Sequence, residues 1–483
     1  MEALTNIVVK INSYLSNYIL LFLLLALGIF FSIRTKFVQV RYFGAGMKAV
    51  FRSDSRKKGS GINKFQALTT AIAAQVGTGN IVGACGAILI GGPGAIFWMW
   101  VIAFFGMSTI YAEAVLAQKT KTVDADGTVH GGPVYYIKAA FKGNFGKFLA
   151  GFFAVAIILA LGFMGAMVQS NSIGTTMEAA FSIPSWVIGI AVAAIVGVIL
   201  LGGVKRIASV TEKLVPIMAI LYLIGGLVVI CINITGVPAA FGLIFKYAFT
   251  PAAALGGGFG AIISAMQQGA KRGLFSNEAG MGSTPHAHAL ADVKDPHEQG
   301  IVAMMGVFID TFIVLTMTAL VVITVLYTRD GALADFVATG DMTMGGAVLS
   351  KETMAQEAFA QSFGSAAVGN IFVAICLFFF AFSTILGWNY FGKVNVEYLF
   401  GKKAVPVYTV IALAFVVLGS FLQNNLVWEL MDLFNQLMVL PNAIALFALS
   451  GMVITTARNH KKGDLGLKVD ENAPAKEDEE ANA

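Results

Sequence analysis

The chain has 483 residues, of which 57% are hydrophobic and only 12% charged, and its mean hydropathy is +0.78. No ordinary soluble domain reaches such values, so the chain reads as an integral membrane protein. Its formal net charge of +5 comes from basic residues gathered in loops, which speaks for membrane orientation and against nucleic-acid binding.

A helix needs about 20 apolar residues to cross about 30 Å of hydrocarbon. Eleven segments qualify as spans: 14–33, 66–90, 94–118, 148–178, 185–204, 214–235, 256–275, 300–327, 367–391, 404–423 and 428–456. The first loop carries Arg34, Lys36, Arg41, Lys48, Arg52, Arg56, Lys57, Lys58 and Lys64, and basic pairs recur at Lys205-Arg206, Lys271-Arg272, Lys402-Lys403 and Lys461-Lys462. By the positive-inside rule these loops are cytoplasmic, which puts the N-terminus outside and the C-terminus inside. The long loop 328–366, with more acids than bases, then faces outward.

The first span is too long for a signal peptide core, and no small-residue cleavage site follows it before Arg34. Cys85, Cys231 and Cys376 all fall in apolar spans and read as small core hydrophobes, without a disulfide framework. The polar tail from Lys461 reads as disordered and cytoplasmic.

Spans two and seven are interrupted by glycine, the second at Gly77-Thr78-Gly79-Asn80 and the seventh at Leu255-Gly256-Gly257-Gly258-Phe259-Gly260. Hydrocarbon offers no water to unpaired backbone, so a break must face protein or a solvated cavity. Broken helices present amides to an anion and carbonyls to a cation, and two of them crossing in opposite directions point to a transporter site. Glycines that merely let helices pack closely are the bland alternative for either break alone.

At this point the chain resembles the alanine or glycine:cation symporters, also called sodium:alanine symporters. The run Gly91-Gly92-Pro93-Gly94-Ala95-Ile96-Phe97-Trp98-Met99-Trp100-Val101-Ile102-Ala103-Phe104-Phe105-Gly106 is similar to that family's signature. Gly77-Thr78-Gly79-Asn80-Ile81 and Gly273-Leu274-Phe275-Ser276-Asn277-Glu278-Ala279-Gly280-Met281-Gly282, the latter read as cytoplasmic, match it as well. The likeness covers essentially the whole chain except the tail. More distantly the segment order resembles the leucine-transporter fold, which implies an all-α membrane protein with a five-plus-five inverted repeat. The resemblance implies an extra N-terminal helix and loop over 1–65, the two repeats over 66–235 and 236–457, and the tail over 458–483.

The expected substrate is a small neutral amino acid, alanine or glycine, moved inward with sodium by alternating access, with no cofactor. Its carboxylate would meet the amides of Thr78, Gly79 and Asn80, and its ammonium the carbonyls near Ala74 and Gln75 and those of 254–257. Gly165, Gln169 and Asn171 of span four would line the cavity, although their amides could instead join neighbouring helices. Phe259 and Gly260 resemble the closing aromatic segment of the wider fold. The resemblance also implies sodium ligands: the carbonyls of Ala73, Val76 and Phe380 and the hydroxyls of Ser383 and Thr384. A second cation beside the carboxylate would need oxygens at Ala254 and Gly306, which carry none, so one cation per substrate is expected.

Asp310, mid-span, is functional by default, either balancing the cation or staying protonated. Gln267 and Gln268 are expected toward the inner end of span seven, and Glu113 is expected to be solvated. His286, His288 and His297 lack converging cysteine or acidic ligands, and Gly280-Met281-Gly282 lacks the strand and Walker lysine of a nucleotide loop. A proton-coupled symporter is the alternative reading. A channel would need a continuous polar pore, and an intramembrane enzyme a nucleophile with a positioned base, which the sequence does not display.

Overall fold

The computed structural model describes residues 2–51, 62–125, 127–250, 258–328, 331, 333, 343–344, 347–422 and 425–459. Among these the chain is a helical bundle with two minimal antiparallel strand pairs, Thr122–Val123 with Val129–His130 and Thr343–Met344 with Ala347–Val348. Seven described helices are long and apolar enough to cross a bilayer, and an eighth span is the pair Lys64–Gln75 and Gly79–Gly91, bent by 49° at its break.

The count falls short of eleven for reasons visible in the chain. The helix of span one, Leu21–Arg34, is short because a π turn at Leu15–Leu20 precedes it. Span five is a 17-residue helix, Ser185–Leu201. Span seven, Gly258–Asn277, carries Gln267, Gln268, Lys271 and Arg272, which dilute its hydropathy.

The elements that build the central region are, in chain order, α1 (Leu21–Arg34), α2 (Lys64–Gln75), α3 (Ala84–Gly91), α4 (Ala95–Thr120), α5 (Pro133–Ala140), α6 (Ala166–Phe181), α7 (Gly258–Asn277), α8 (Pro285–Ala289), α9 (Pro296–Val307), α10 (Ala366–Phe400), α11 (Val405–Phe421) and α12 (Asn425–Ala448). A capping box starts α2: the Asn63 side chain accepts the Gln66 N–H at 2.7 Å, and the Gln66 side chain accepts the Asn63 N–H at 3.3 Å. At its other end Val76 turns extended, and the chain re-enters helix through a π turn, Gly79–Gly83, before α3.

Spans two and seven run antiparallel along one another. At one end a Cβ on Gly91 would lie 3.2 Å from the Ala265 Cα, and in the middle one on Gly79 would lie 3.1 Å from the Ser276 Cα. At the far end the Ile62 N–H donates to the Leu290 carbonyl at 3.1 Å, and the Asp292 N–H to the Ile62 carbonyl at 2.9 Å.

This pairing corrects the position of the second break. Gly258, Phe259 and Gly260 are helical, and α7 continues without interruption to Asn277; residues 254–257 and the Phe259 side chain lie outside the described residues. The chain leaves the helix at Glu278, with φ +57, and positive φ recurs at Gly280 (+91) and Gly282 (+80), conformations a right-handed helix cannot contain. The segment expected in the cytoplasm is therefore buried beside the first break. Gln268 belongs to the opposite end, since a Cβ on Gly91 would touch its Cβ.

Lys271 and Arg272 are likewise not loop residues. The Lys271 ammonium lies 2.6 Å from the Asp432 carboxylate of α12, and the Arg272 guanidinium lies 3.9 Å from it. Lys351, in the loop expected outside, sits over the Trp428 ring at 3.9 Å, close to Gly86 of α3. Burial, together with Arg272, holds the Lys351 ammonium below the usual lysine range. This ion cluster removes Lys271-Arg272 as support for a cytoplasmic loop. Cys85 and Cys376 are buried as expected, whereas Cys231 is exposed on the helix surface.

Candidate functional site

The break in span two follows from one side chain. Asn80 Oδ1 accepts the Gly77 N–H at 2.9 Å, and the Asn80 N–H donates back to the Gly77 carbonyl at 3.2 Å. Those two amides would otherwise bond the carbonyls of Ala73 and Val76, four residues earlier. The exchange frees both carbonyls.

The Ala73 and Val76 carbonyls meet α10. Thr384 Oγ1 lies 3.0 Å from the Ala73 oxygen, 3.3 Å from the Val76 oxygen and 3.0 Å from the Phe380 oxygen. Ser383 Oγ lies 3.3 Å from the Ala73 oxygen and 2.8 Å from that of Phe380. Bonds to Phe380 are the usual back-bonding of helical hydroxyls, but those to Ala73 and Val76 cross between spans. Three carbonyl oxygens and two hydroxyl oxygens thus share two hydroxyl hydrogens, a surplus of acceptors suited to a hard cation. Gly77 is required here, since a Cβ on it would lie 2.4 Å from Thr384 Oγ1.

On the other side of Gly77, the Thr78 N–H donates to Gln169 Oε1 of α6 at 3.2 Å, and Gln75 Nε2 donates to the Asn277 carbonyl at 2.7 Å. Three buried atoms around this point have no hydrogen-bond partner among the described residues: Gln75 Oε1, Thr78 Oγ1 and Gln169 Nε2. Leaving such groups unsatisfied costs about 1–3 kcal/mol each. Gly165 contributes space rather than polarity, because a Cβ there would lie 2.6 Å from the Trp388 ring.

The break in span seven closes the region. Ser276 Oγ lies 3.0 Å from both carboxylate oxygens of Asp310, which also accept Asn80 Nδ2 at 2.6 Å and Thr311 Oγ1 at 2.7 Å. Asp310 therefore joins the two breaks through neutral donors. Phe275 covers Gly79, with its ring 3.2 Å from a Cβ there, and meets Trp388 edge-on at 5.9 Å. The Trp388 indole N–H is held by Glu278 Oε1 at 2.5 Å.

The profile of the sodium:alanine symporter family matches residues 1–472. The chain belongs to the sodium:alanine symporter family. Among its relatives, an uncharacterized transporter of Haemophilus influenzae is 42% identical, covering 94% of this chain and 96% of that one. The sodium/alanine symporter AgcS of Methanococcus maripaludis is 40% identical over the same shares. The probable sodium/glutamine symporter GlnT of Bacillus subtilis is 38% identical, covering 95% of this chain and 91% of its own. This is a family of transporters, not enzymes. Among solved structures, a manganese transporter mutant of Eremococcus coleocola superposes with TM-score 0.51 at 15% identity, covering 80% of this chain and 77% of that one. MhsT in complex with L-phenylalanine gives 0.50 at 13%, covering 83% and 100%. At such identities the likeness shows only the fold, that of leucine-transporter-type proteins.

In this sodium:alanine symporter family member several expected residues stand elsewhere. Asn171 turns away from the break, and its amide donates to the Gly419 carbonyl of α11 at 3.1 Å, the helix-joining alternative. Glu113 is fully buried, not solvated. His286 bonds the Ser283 carbonyl at 2.7 Å and Asn395 at 2.9 Å, His288 bonds Gln299 at 2.8 Å and His297 bonds Tyr111 at 2.8 Å, so the three rings serve separate contacts. No metal-binding group of histidine, cysteine or acid occurs among the described residues. Gly306 faces Gln75, while Asn80 meets the Asp310 carboxylate, which also accepts from Ser276. Ala254, the other position weighed for a second cation, lies outside the described residues.

Phe275, Ser276, Glu278 and Trp388 were not expected at the site. Their signal was the polar run Ser276-Asn277-Glu278 between apolar stretches, followed by two glycines. Replacing Gly79 by Val should weaken amino-acid binding by about 2 kcal/mol, roughly thirtyfold, because the branched side chain pushes against Ser276 backbone and Phe275. Isothermal titration of the purified variant with alanine, beside a thermal-stability scan, reads this; wild-type affinity would remove the break from the site.

Proposed function

We propose that this transporter imports a small neutral amino acid, alanine or glycine, together with sodium, by alternating access. The carrying observation is the trio of unpaired buried atoms at the first break, Gln75 Oε1, Thr78 Oγ1 and Gln169 Nε2. Gln169 Oε1 occupies the acceptor place at the Thr78 N–H that a substrate carboxylate would take. On displacement, Gln169 Nε2 and Thr78 Oγ1 become donors to that carboxylate, and Gln75 Oε1 can accept from the ammonium. Phe275 and Trp388 leave room for little side chain. The name of the archaeal relative supports alanine; that of the Bacillus relative, glutamine, marks the side chain as the variable part.

Sodium belongs at the five oxygens of Ala73, Val76, Phe380, Ser383 and Thr384, within a shell of neutral oxygen ligands. The antiparallel spans two and seven are the moving pair, each from one of the two repeats, 66–235 and 236–457. At one end the Lys271–Asp432 cluster closes the path. At the other, near the start of α2, lies a vestibule of about 310 Å³ lined by Ile62, His130, Lys205, Leu290, Tyr390 and Glu397. The basic first loop makes that end cytoplasmic and the N-terminus external; impermeant thiol labelling of a cysteine at Ser53 from the inside alone is the expected result.

A proton-coupled reading is favoured by one feature, the Asp310 carboxylate, which among the described residues meets only neutral donors. Uptake of labelled alanine into proteoliposomes under an imposed sodium or proton gradient separates the two. Sodium-driven accumulation, competed by glycine and not by leucine or phenylalanine, is expected; accumulation driven by protons alone would replace the sodium reading.

Ser383→Ala combined with Thr384→Ala should raise the half-saturating sodium concentration at least about tenfold, since two of five ligands are lost. Unchanged sodium dependence in that variant would move the ion elsewhere.

A further inference from the structure

Glu113 lies within α4, without exposed surface, and the transport route described above makes no use of it. Its Oε2 accepts the Gly280 N–H at 3.1 Å, and its Oε1 accepts the Gly282 N–H at 2.9 Å and Asn442 Nδ2 of α12 at 2.6 Å. The Asn442 nitrogen also donates to the Gly280 carbonyl at 2.9 Å, and the Tyr136 hydroxyl of α5 donates to Asn442 Oδ1. Two helices, α4 and α12, thus reach three peptide units of the span-seven break, and α5 holds Asn442 in place. Those units lie where positive φ excludes helical pairing.

Three donors face a single carboxyl group. The ionised form accepts from all of them, whereas a proton on Oε1 would point at the Gly282 N–H or the Asn442 amide. Glutamine is for the same reason not a conservative replacement. The held loop begins directly after Phe275 and Ser276, the residues that press on Gly79 and bond Asp310.

We propose that Glu113 is a positioning residue for transport: its carboxyl group, oriented by Asn442, fixes the span-seven break so that Phe275 and Ser276 are presented to the break of span two. The role rests on the transport reading above and locates where the scaffold grips the moving pair.

The test compares Glu113→Gln, Asn442→Asp and the double variant in the full chain, reading alanine KM and turnover in proteoliposomes and backbone amide exchange over residues 276–284. Glu113→Gln should raise KM about tenfold per folded transporter, the worth of one lost charged hydrogen bond, and accelerate exchange in that segment alone. The double variant should recover part of the loss, because a Gln amide can donate to an Asp carboxylate at position 442. Wild-type KM and exchange in Glu113→Gln, or fewer folded molecules with unchanged KM, would overturn the role. If that variant does not fold, Asn442→Ala, which removes the bond to the Gly280 carbonyl but spares both bonds from glycine N–H groups to Glu113, carries the same readouts at about threefold amplitude. Exchange is read without substrate. A wild-type protein that takes up no alanine therefore sinks the transport reading, while unchanged exchange in the variant sinks the positioning role.

Discussion

Backbone that leaves the helix inside a membrane protein must find its hydrogen bonds in side chains, and the centre of this molecule is arranged around that constraint. Asn80 satisfies the Gly77 amide, Gln169 the Thr78 amide, and Glu113 the amides of Gly280 and Gly282. Each of these side chains comes from an apolar helix where it would otherwise be a liability. Their presence there is explained by the peptide units they serve. Glycine at 77 and 79 is part of the same arrangement, since any Cβ would strike Thr384 on one side or Ser276 on the other.

The membrane class and the first break were legible in the sequence, and the five oxygens that meet at α10 only through its resemblance to the leucine-transporter fold. Gly77-Thr78-Gly79-Asn80 is conspicuous because small and polar residues interrupt a long apolar run, whereas Ser383-Thr384 by themselves read equally as hydroxyls bonded back to the preceding turn. The second break was misplaced because a glycine cluster, Gly256-Gly257-Gly258, looks more like an interruption than Ser276-Asn277-Glu278 does. Glycine lowers helix propensity by about 1 kcal/mol, yet α7 runs through Gly260, Gly269 and Gly273. What ends it is local capping: the Ala279 N–H bonds Asn277 Oδ1 at 3.0 Å, and Glu278 turns left-handed. Such capping is written in polar residues rather than in glycine count.

Charge counting failed at one place for an equally physical reason. The positive-inside rule reads basic residues as loop residues, but Lys271 and Arg272 are compensated within the helix bundle by Asp432 of α12, more than 150 positions later in the chain. Sequence distance hides that pair. The same holds for Glu113, whose three donors lie on two distant segments, and for Asp310, whose partners Asn80 and Ser276 belong to different spans.

In the proposed transport cycle, ion and substrate would be coupled through a single stretch of backbone. The Val76 carbonyl points to the hydroxyls of α10 and the Thr78 amide to Gln169, with only Gly77 between them. A cation on the Val76 oxygen fixes the orientation of the peptide that follows it, and Thr384, packed against Gly77, limits how that glycine can rotate. Ordering this short segment is an entropic cost of about 1–2 kcal/mol per residue. Whichever of the two ligands binds first bears it, and the second then meets amides already aimed, so each raises the other's affinity by the same factor. Cooperative binding of ion and amino acid thus requires no contact between them, only a break short enough that neither can order one side of Gly77 without ordering the other.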